Sequence, residues 1–304
     1  MAAARAGLLG HGSACPAQAG PVFACVNRDA QGPYFIKPGW YAPVHDIALD
    51  SPHGHIDFEQ GLAVSCNVYF SQLGLQLGPD AFQKLVDDGL EMGWGHGWYK
   101  PGKPGSRDLA LTAFGQHAAM MSVSQAARLA GTVGSGGTYR KCPPSMELGA
   151  QCEQKQLLQD PHVIAPVLAG MEKVMTNGTG RGLATRPGLP PGLRVYGKTG
   201  TADSIGIEEE KPWGVEVGVY GKPHSWFLAL AEPESNAPCA PTAARRLAFA
   251  VVIPRGGLGA LNAGPAALEV IQAADKLGLF GAPAPGAQAS PSPSPTSPPS
   301  PSAR

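Results

Sequence analysis

Lys198-Thr199-Gly200-Thr201 sets a cation, two hydroxyls and an unhindered backbone side by side. Along a strand edge, such a run makes a cradle for a carboxylate and an adjacent acyl group. The ammonium supplies positive potential, the hydroxyls donate, and glycine lets a ligand backbone approach closely. The residues before it, Val195-Tyr196-Gly197, read as the end of a buried strand. About 130 residues earlier, Ser65-Cys66-Asn67 places a hydroxyl and an amide two positions apart, at a break between two helical runs. From there both can face a cleft, Ser65 to relay a proton and Asn67 to hold a substrate amide. S-x-N alone occurs by chance and K-T-G is little better. Together, in this order and separation, they carry more weight.

A second chemistry competes for Lys198. Gly192 through Thr199 matches the phosphate-binding pattern G-x-x-x-x-G-K-[ST] letter for letter. That pattern needs a strand before its first glycine and a helix directly after its threonine. Here Gly188-Leu189-Pro190-Pro191 comes first, which cannot be a core strand, and Gly200 and Gly206 follow. The strand falls inside the match, so a nucleotide-binding protein is the lesser alternative.

The elements that must position these residues are legible. Asp57 with Gln60 reads as a capping box before apolar residues at helical spacing: Leu62, Val64, Val68, Phe70, Leu73 and Leu77. Gly78-Pro79 stops that run, and Asp80 is expected to cap a helix reaching about Met92. A turn-rich block with Trp94, Trp98 and Tyr99 follows. Ser122 with Gln125 starts a helix over 126–133, and Asp160-Pro161 one that reaches Met175, closed by Asn177-Gly178-Thr179-Gly180. Three strands are expected at 193–198, 225–231 and 247–253. The last two are continuously apolar, as central strands covered on both faces are. A closing helix spans about 265–277. Helices first, then strands, then a helix argue for an α+β domain with an antiparallel sheet.

Composition bounds the rest. The 304 residues carry 23 Lys plus Arg against 23 Asp plus Glu, so no basic signature points to nucleic acid. No apolar run is long enough to span a membrane. The six cysteines form no C-x-x-C pair, so a zinc site is not expected and no cofactor is implied. Buried free thiols are the simplest reading, with Cys15–Cys25 or Cys142–Cys152 as disulfides if the chain is exported. Residues 1–22 read as an irregular or targeting-like start, acid-free as organelle transit peptides are. Residues 281–304, rich in Ala, Pro and Ser, read as a disordered tail.

On these phrases, residues 23–280 resemble the distal part of a penicillin-binding protein transpeptidase domain of the monofunctional class. His53-Gly54-His55-Ile56-Asp57 leading to Ala63-Val64-Ser65-Cys66-Asn67-Val68-Tyr69-Phe70 is similar to the family's second motif and its helix. Phe114-Gly115-Gln116, Ser124-Gln125-Ala126-Ala127 and Gly136-Gly137-Thr138-Tyr139 resemble its middle helix and following loop. Gly197-Lys198-Thr199-Gly200-Thr201-Ala202 is similar to its third motif, and His224-Ser225-Trp226-Phe227 to the next strand.

The resemblance implies a β-lactamase/transpeptidase-like fold and a serine acyltransferase of peptidoglycan. Such an enzyme acts on D-Ala-D-Ala stem peptides and is inhibited by β-lactams. It works at the outer face of a bacterial cytoplasmic membrane, or in a plastid if the start is a transit peptide. Ser65 would pass a proton to the leaving group, Asn67 bind the substrate amide, and Lys198 supply potential. Thr199 and Thr201 would contact the carboxylate beside Gly200, and the Thr201 N–H would be an oxyanion donor.

The family's nucleophile, the serine of S-x-x-K, is missing. No lysine in this chain has a serine three residues before it. Thr138-Tyr139-Arg140-Lys141 has the spacing with the wrong residue, and Ser13 meets Pro16 where lysine is needed. The expectation is an N-terminally truncated domain, with three strands of a five-stranded sheet, a closing helix and most of an all-helical lobe. It is expected to be inactive in acyl transfer. A catalytically silent peptidoglycan- or partner-binding protein is the alternative.

Overall fold

Capping chemistry fixes where the first helices begin. In the computed structural model, Asp57 Oδ1 accepts from the Gln60 N–H at 2.8 Å while Gln60 Oε1 accepts from the Asp57 N–H at 3.1 Å. Helix α1 (Phe58–Val64) starts there and ends at Ser65. Cys66 then caps α2 (Asn67–Leu77), its sulfur accepting from the Tyr69 N–H at 3.3 Å. The structure describes residues 1–9, 20–47, 51–91, 100–117, 119–142, 151–202, 206–207, 217–218 and 222–281. Met92, Trp94, Trp98, Tyr99, Ser13, Cys15 and the expected tail beyond Gly281 lie outside them.

Gly78 ends α2, as expected, but it also caps α3 (Pro79–Asp87), with Pro79 in the first turn. Asp80 is therefore inside the helix rather than its cap, because proline at the first helical position needs no N–H partner. The helix stops at Asp87, where Gly89 turns left-handed. Helix α4 (Arg107–Ala113) packs on α2: a Cβ at Gly74 would fall 2.2 Å from that of Ala113. The second capping box, Ser122 with Gln125, opens α5 (Val123–Gly134).

Asp160 caps a 3-10 turn, Pro161–Ile164, that leads into α6 (Ala165–Thr176). Pro166 at the start of α6 lacks the N–H that a regular helix would need from there back into the turn. Helix α6 runs beneath α1, with Gly170 under Leu62, where a Cβ would come within 2.8 Å of the leucine side chain.

Short strands brace this lobe. β1 (Phe23–Cys25) pairs antiparallel with β2 (Gly54–Ile56), and Gly32–Phe35 pairs with both Arg28–Asp29 and Val44–His45. The hairpin β3 (Thr138–Lys141) and β4 (Glu153–Gln156) is closed by a Cys142–Cys152 disulfide, one of the two expected. The other does not form: Cys25 is a buried free thiol.

The sheet comes last. β5 (Leu193–Ala202), β6 (His224–Pro233) and β7 (Leu247–Ile253) are all antiparallel, with β6 in the middle. Leu228 faces Lys198 on one side and Ala250 on the other. The two-residue period of β6 explains its continuous apolar run. Phe227, Ala229 and Ala231 pack under α7 (Ala263–Lys276) with Ala267, Leu268 and Ile271. Leu230 turns to the other face, joining Tyr196, Tyr69 and Leu168 in the core of the helical lobe.

Two expectations change here. β7 is not a central strand: its faces are covered, Ala248 against the core of the helical lobe and Phe249 and Val251 against the core under α7, but among the described residues it pairs with β6 alone, and Leu247 to Ile253 are only half-buried. Nor are residues 1–9 of the start irregular. Ala2–Arg5 is a helical turn, and Ala3, Ala4 and Leu9 are buried in the core, because small apolar side chains there fill space beside the helical lobe.

Candidate active site

Ser65 stands at the junction of α1 and α2 in a left-handed conformation, φ 58° and ψ 40°. The Cys66 N–H reaches back to the Gly61 carbonyl at 3.0 Å, the closure usually made over a glycine. A serine held there is strained by about 1 kcal/mol or more, and residues so held cluster at functional sites. The loop after α6 clamps the junction: the Thr179 N–H donates to the Ala63 carbonyl at 3.0 Å. A Cβ on Gly178 would fall 2.2 Å from the same oxygen.

Lys198 comes to Ser65 across 133 positions of sequence. Its Nζ donates to Ser65 Oγ at 2.6 Å and to the Thr199 carbonyl at 2.7 Å. It lies on the face of β5 that also carries Tyr196, the face turned to the helical lobe. Burial lowers its ammonium from 10.5 to about 8, so a cation is held where its hydration is poor and an anionic ligand would be attracted. Thr199 is buried, with Oγ1 2.7 Å from Thr179 Oγ1. Gly200 lies against Trp226, where a Cβ would come within 3.0 Å of the tryptophan Cβ. Thr201 is exposed, and its hydroxyl accepts from the Gly259 N–H at 3.3 Å. β5 is an edge strand whose only partner among the described residues is β6, so the tetrad does lie on an open strand edge. The strand runs unbroken through Lys198 and Thr199 to Ala202. No helix springs from Thr199, and the phosphate-loop alternative falls.

Asn67 is the first residue of α2, two positions beyond Ser65. Its Nδ2 donates to the His45 carbonyl at 3.0 Å, and its backbone N–H donates to the Asp46 carboxylate. The fold thus brings Ser65 and Lys198 into direct contact, while the Asn67 side chain is held on the His45 carbonyl. Two neighbours escaped sequence reasoning. Thr179 lies in Gly178-Thr179-Gly180, which signalled a turn but no role. Asp46 lies in a stretch that reads only as loop. A cleft of about 450 Å³ adjoins the junction, lined by His53, Val64, Thr179, Arg181 and Arg186 among others.

This arrangement has relatives. The sequence model of the penicillin binding protein transpeptidase domain matches residues 29–272. Peptidoglycan D,D-transpeptidase PbpA of Mycobacterium tuberculosis is 26% identical over 250 residues, covering 72% of this chain and 44% of that protein. Stage V sporulation protein D of Bacillus subtilis is 28% identical over 172 residues, half of this chain and 26% of the relative. The chain therefore spans less than half the length of these relatives. Among solved structures, the ceftriaxone acyl-enzyme complex of penicillin-binding protein A from M. tuberculosis superposes with a TM-score of 0.58 at 21% identity, covering 90% of this chain and 58% of that one. The transpeptidase domain of Burkholderia pseudomallei penicillin-binding protein 3 gives 0.59 at 18% identity, over 87% of this chain and 74% of that one. The α+β fold with an antiparallel sheet against helices is the fold these proteins share. By sequence and by architecture alike, this chain belongs to the penicillin-binding protein transpeptidase family.

Proposed function

We propose that this chain is the distal part of a peptidoglycan D,D-transpeptidase domain, retaining the pocket that receives a D-Ala-D-Ala stem peptide or a β-lactam. The observation that carries this reading is the 2.6 Å hydrogen bond from Lys198 to Ser65, which joins the second and third motifs in one site. Lys198 and the exposed Thr201 hydroxyl receive the ligand carboxylate. The free edge of β5 pairs with the extended peptide, with the Thr201 N–H directed at its acyl oxygen. Ser65 is poised to hand a proton to the leaving nitrogen, and Asn67 to hold the substrate amide.

The domain is placed at residues 23–280, with Ala3, Ala4 and Leu9 packed into its core. The working place is the cell envelope, on the outer face of a bacterial cytoplasmic membrane. Among the described residues no helix is long and apolar enough to cross one.

With no S-x-x-K serine in its sequence, the chain binds without acylating, since losing such a nucleophile costs several orders of magnitude in rate. The test is incubation of the full chain with a fluorescent penicillin and, separately, with a stem peptide. The expected result is no covalent band and peptide binding that Lys198→Ala abolishes. A covalent adduct would show that a nucleophile in this chain has been misassigned, and peptide binding indifferent to Lys198 would remove the pocket reading.

A further inference from the structure

The cleft of about 450 Å³ beside the Ser65 junction has a cationic wall, to which Arg181 and Arg186 both contribute. Neither guanidinium has an acidic partner among the described residues. Arg5, Arg128, Arg194 and Arg246, by contrast, are each paired with a carboxylate. No acidic side chain lines the cleft among the described residues. Two like charges are thus brought to one concavity with nothing beside them to neutralise either. Low-dielectric walls focus such a field and draw a ligand of opposite sign.

The backbone that carries the two arginines is fixed. At one end the Thr179 N–H donates to the Ala63 carbonyl at 3.0 Å, and Thr179 Oγ1 lies 2.7 Å from Thr199 Oγ1. Between the arginines Leu183 is buried against Gly264 of α7, where a Cβ would fall 2.5 Å from the leucine side chain. Successive turns join these anchors. The Arg181 N–H donates to the Gly178 carbonyl at 3.2 Å, the Leu183 N–H to that of Gly180 at 2.8 Å, and the Arg186 N–H to that of Leu183 at 3.1 Å. Both guanidiniums therefore stand on a preformed support, which lowers the ordering cost of binding. Their exposed side chains remain free to close on a ligand.

The rest of the lining indicates what carries the charge. Ile47, Val64 and Leu261 add aliphatic surface, Ile47 and Leu261 being 51% and 62% exposed. Val64 immediately precedes Ser65, and Thr179 touches Thr199, so the cleft adjoins the place where Lys198 takes one carboxylate. A ligand running from Lys198 into the cleft lays a hydrocarbon stem on the aliphatic residues and brings a second negative group to the arginines. The planar fork of a guanidinium matches a carboxylate with two parallel hydrogen bonds. We propose that Arg181 and Arg186 form a second anion subsite, which selects peptides bearing a carboxylate at the end of an aliphatic side chain. The inference rests on the pocket reading given above, since it adds one contact to the same ligand.

The test uses the full chain and two synthetic peptides ending in D-Ala-D-Ala. They are identical except that the tetramethylene side chain of the preceding residue ends in a carboxylate in one and a carboxamide in the other. Calorimetry at low salt should show the carboxylate peptide binding about fivefold or more tightly. The preference should narrow as salt is raised, because the arginines are exposed. It should vanish in the double variant Arg181→Gln, Arg186→Gln. The salt series on the unaltered chain needs no variant to fold, so the test survives an unstable substitution. Equal binding of the two peptides, both lost in Lys198→Ala, would overturn the subsite and leave the pocket reading standing. Binding of neither would overturn both. A preference that the double variant keeps would place the second carboxylate elsewhere and overturn the assignment to these arginines.

Discussion

Lys198→Met tests whether the lysine is as desolvated as its packing implies. Burial lowers the ammonium from 10.5 to about 8. The unfolded chain therefore holds this proton between pH 8 and 10.5 while the folded chain has released it. Stability then rises with pH wherever the unfolded state binds more protons. Keeping Lys198 charged at pH 7 costs about 3 kcal/mol at 1.36 kcal/mol per pH unit, and about 2 kcal/mol once the solvent reaching a half-buried side chain is allowed for. Methionine fills nearly the same volume without the charge, so its stability lacks this dependence.

The measurement is urea unfolding of both proteins at pH 7, 8, 9 and 10. The gap between wild type and variant should move by about 2 kcal/mol in favour of the wild type from pH 7 to pH 10. Other groups titrate in this range: the buried amino terminus is lowered to about 6, and Cys66 is pushed up by its Cys25 hydrogen bond and by burial. They act equally in both proteins and cancel. A gap constant with pH would refute the reasoning, because it would mean that Lys198 is solvated.

Ser65→Ala should cost about 1 to 2 kcal/mol by removing the hydroxyl that accepts from Lys198. Ser65→Gly loses the same bond but relieves the left-handed strain, so it should unfold about 1 kcal/mol later than the alanine variant. Equal stabilities would mean that the backbone there is relaxed. Gly178→Ala has no room, with its Cβ aimed at the Ala63 carbonyl, and should lower stability by about 1 to 3 kcal/mol in thermal unfolding. A neutral result would show that the clamp on the junction is loose. Replacing Cys142 and Cys152 by serine opens a loop of sequence separation 10 and should cost up to about 3 kcal/mol. A midpoint unchanged by reductant would show that the hairpin holds without its bridge.

Much of the architecture was legible because it is local. The two capping boxes, the Gly78-Pro79 stop and the alternation along β6 each follow from residues within a few positions of one another, where propensity and hydrogen-bond chemistry act directly. The misreadings share a cause. Asp80 was outcompeted as a cap by the glycine and proline before it. The seven apolar residues of β7 announce a buried strand, but whether an edge is covered depends on what lies beside it. Ala3, Ala4 and Leu9 look like an idle start until the helical lobe is built against them.

The sequence by itself determined the two motifs, the strand that carries Lys198 and the absence of an S-x-x-K serine, since these are facts of residue type and short-range periodicity. Only the tertiary structure decided that Lys198 reaches Ser65, that Asn67 turns to His45, and that Asp46 and His53 come together at Cys66, with Cys25 against its sulfur. Those residues are scattered without ligand spacing along the chain. Contacts between distant segments depend on how helices and strands stack, and no local pattern encodes that stacking.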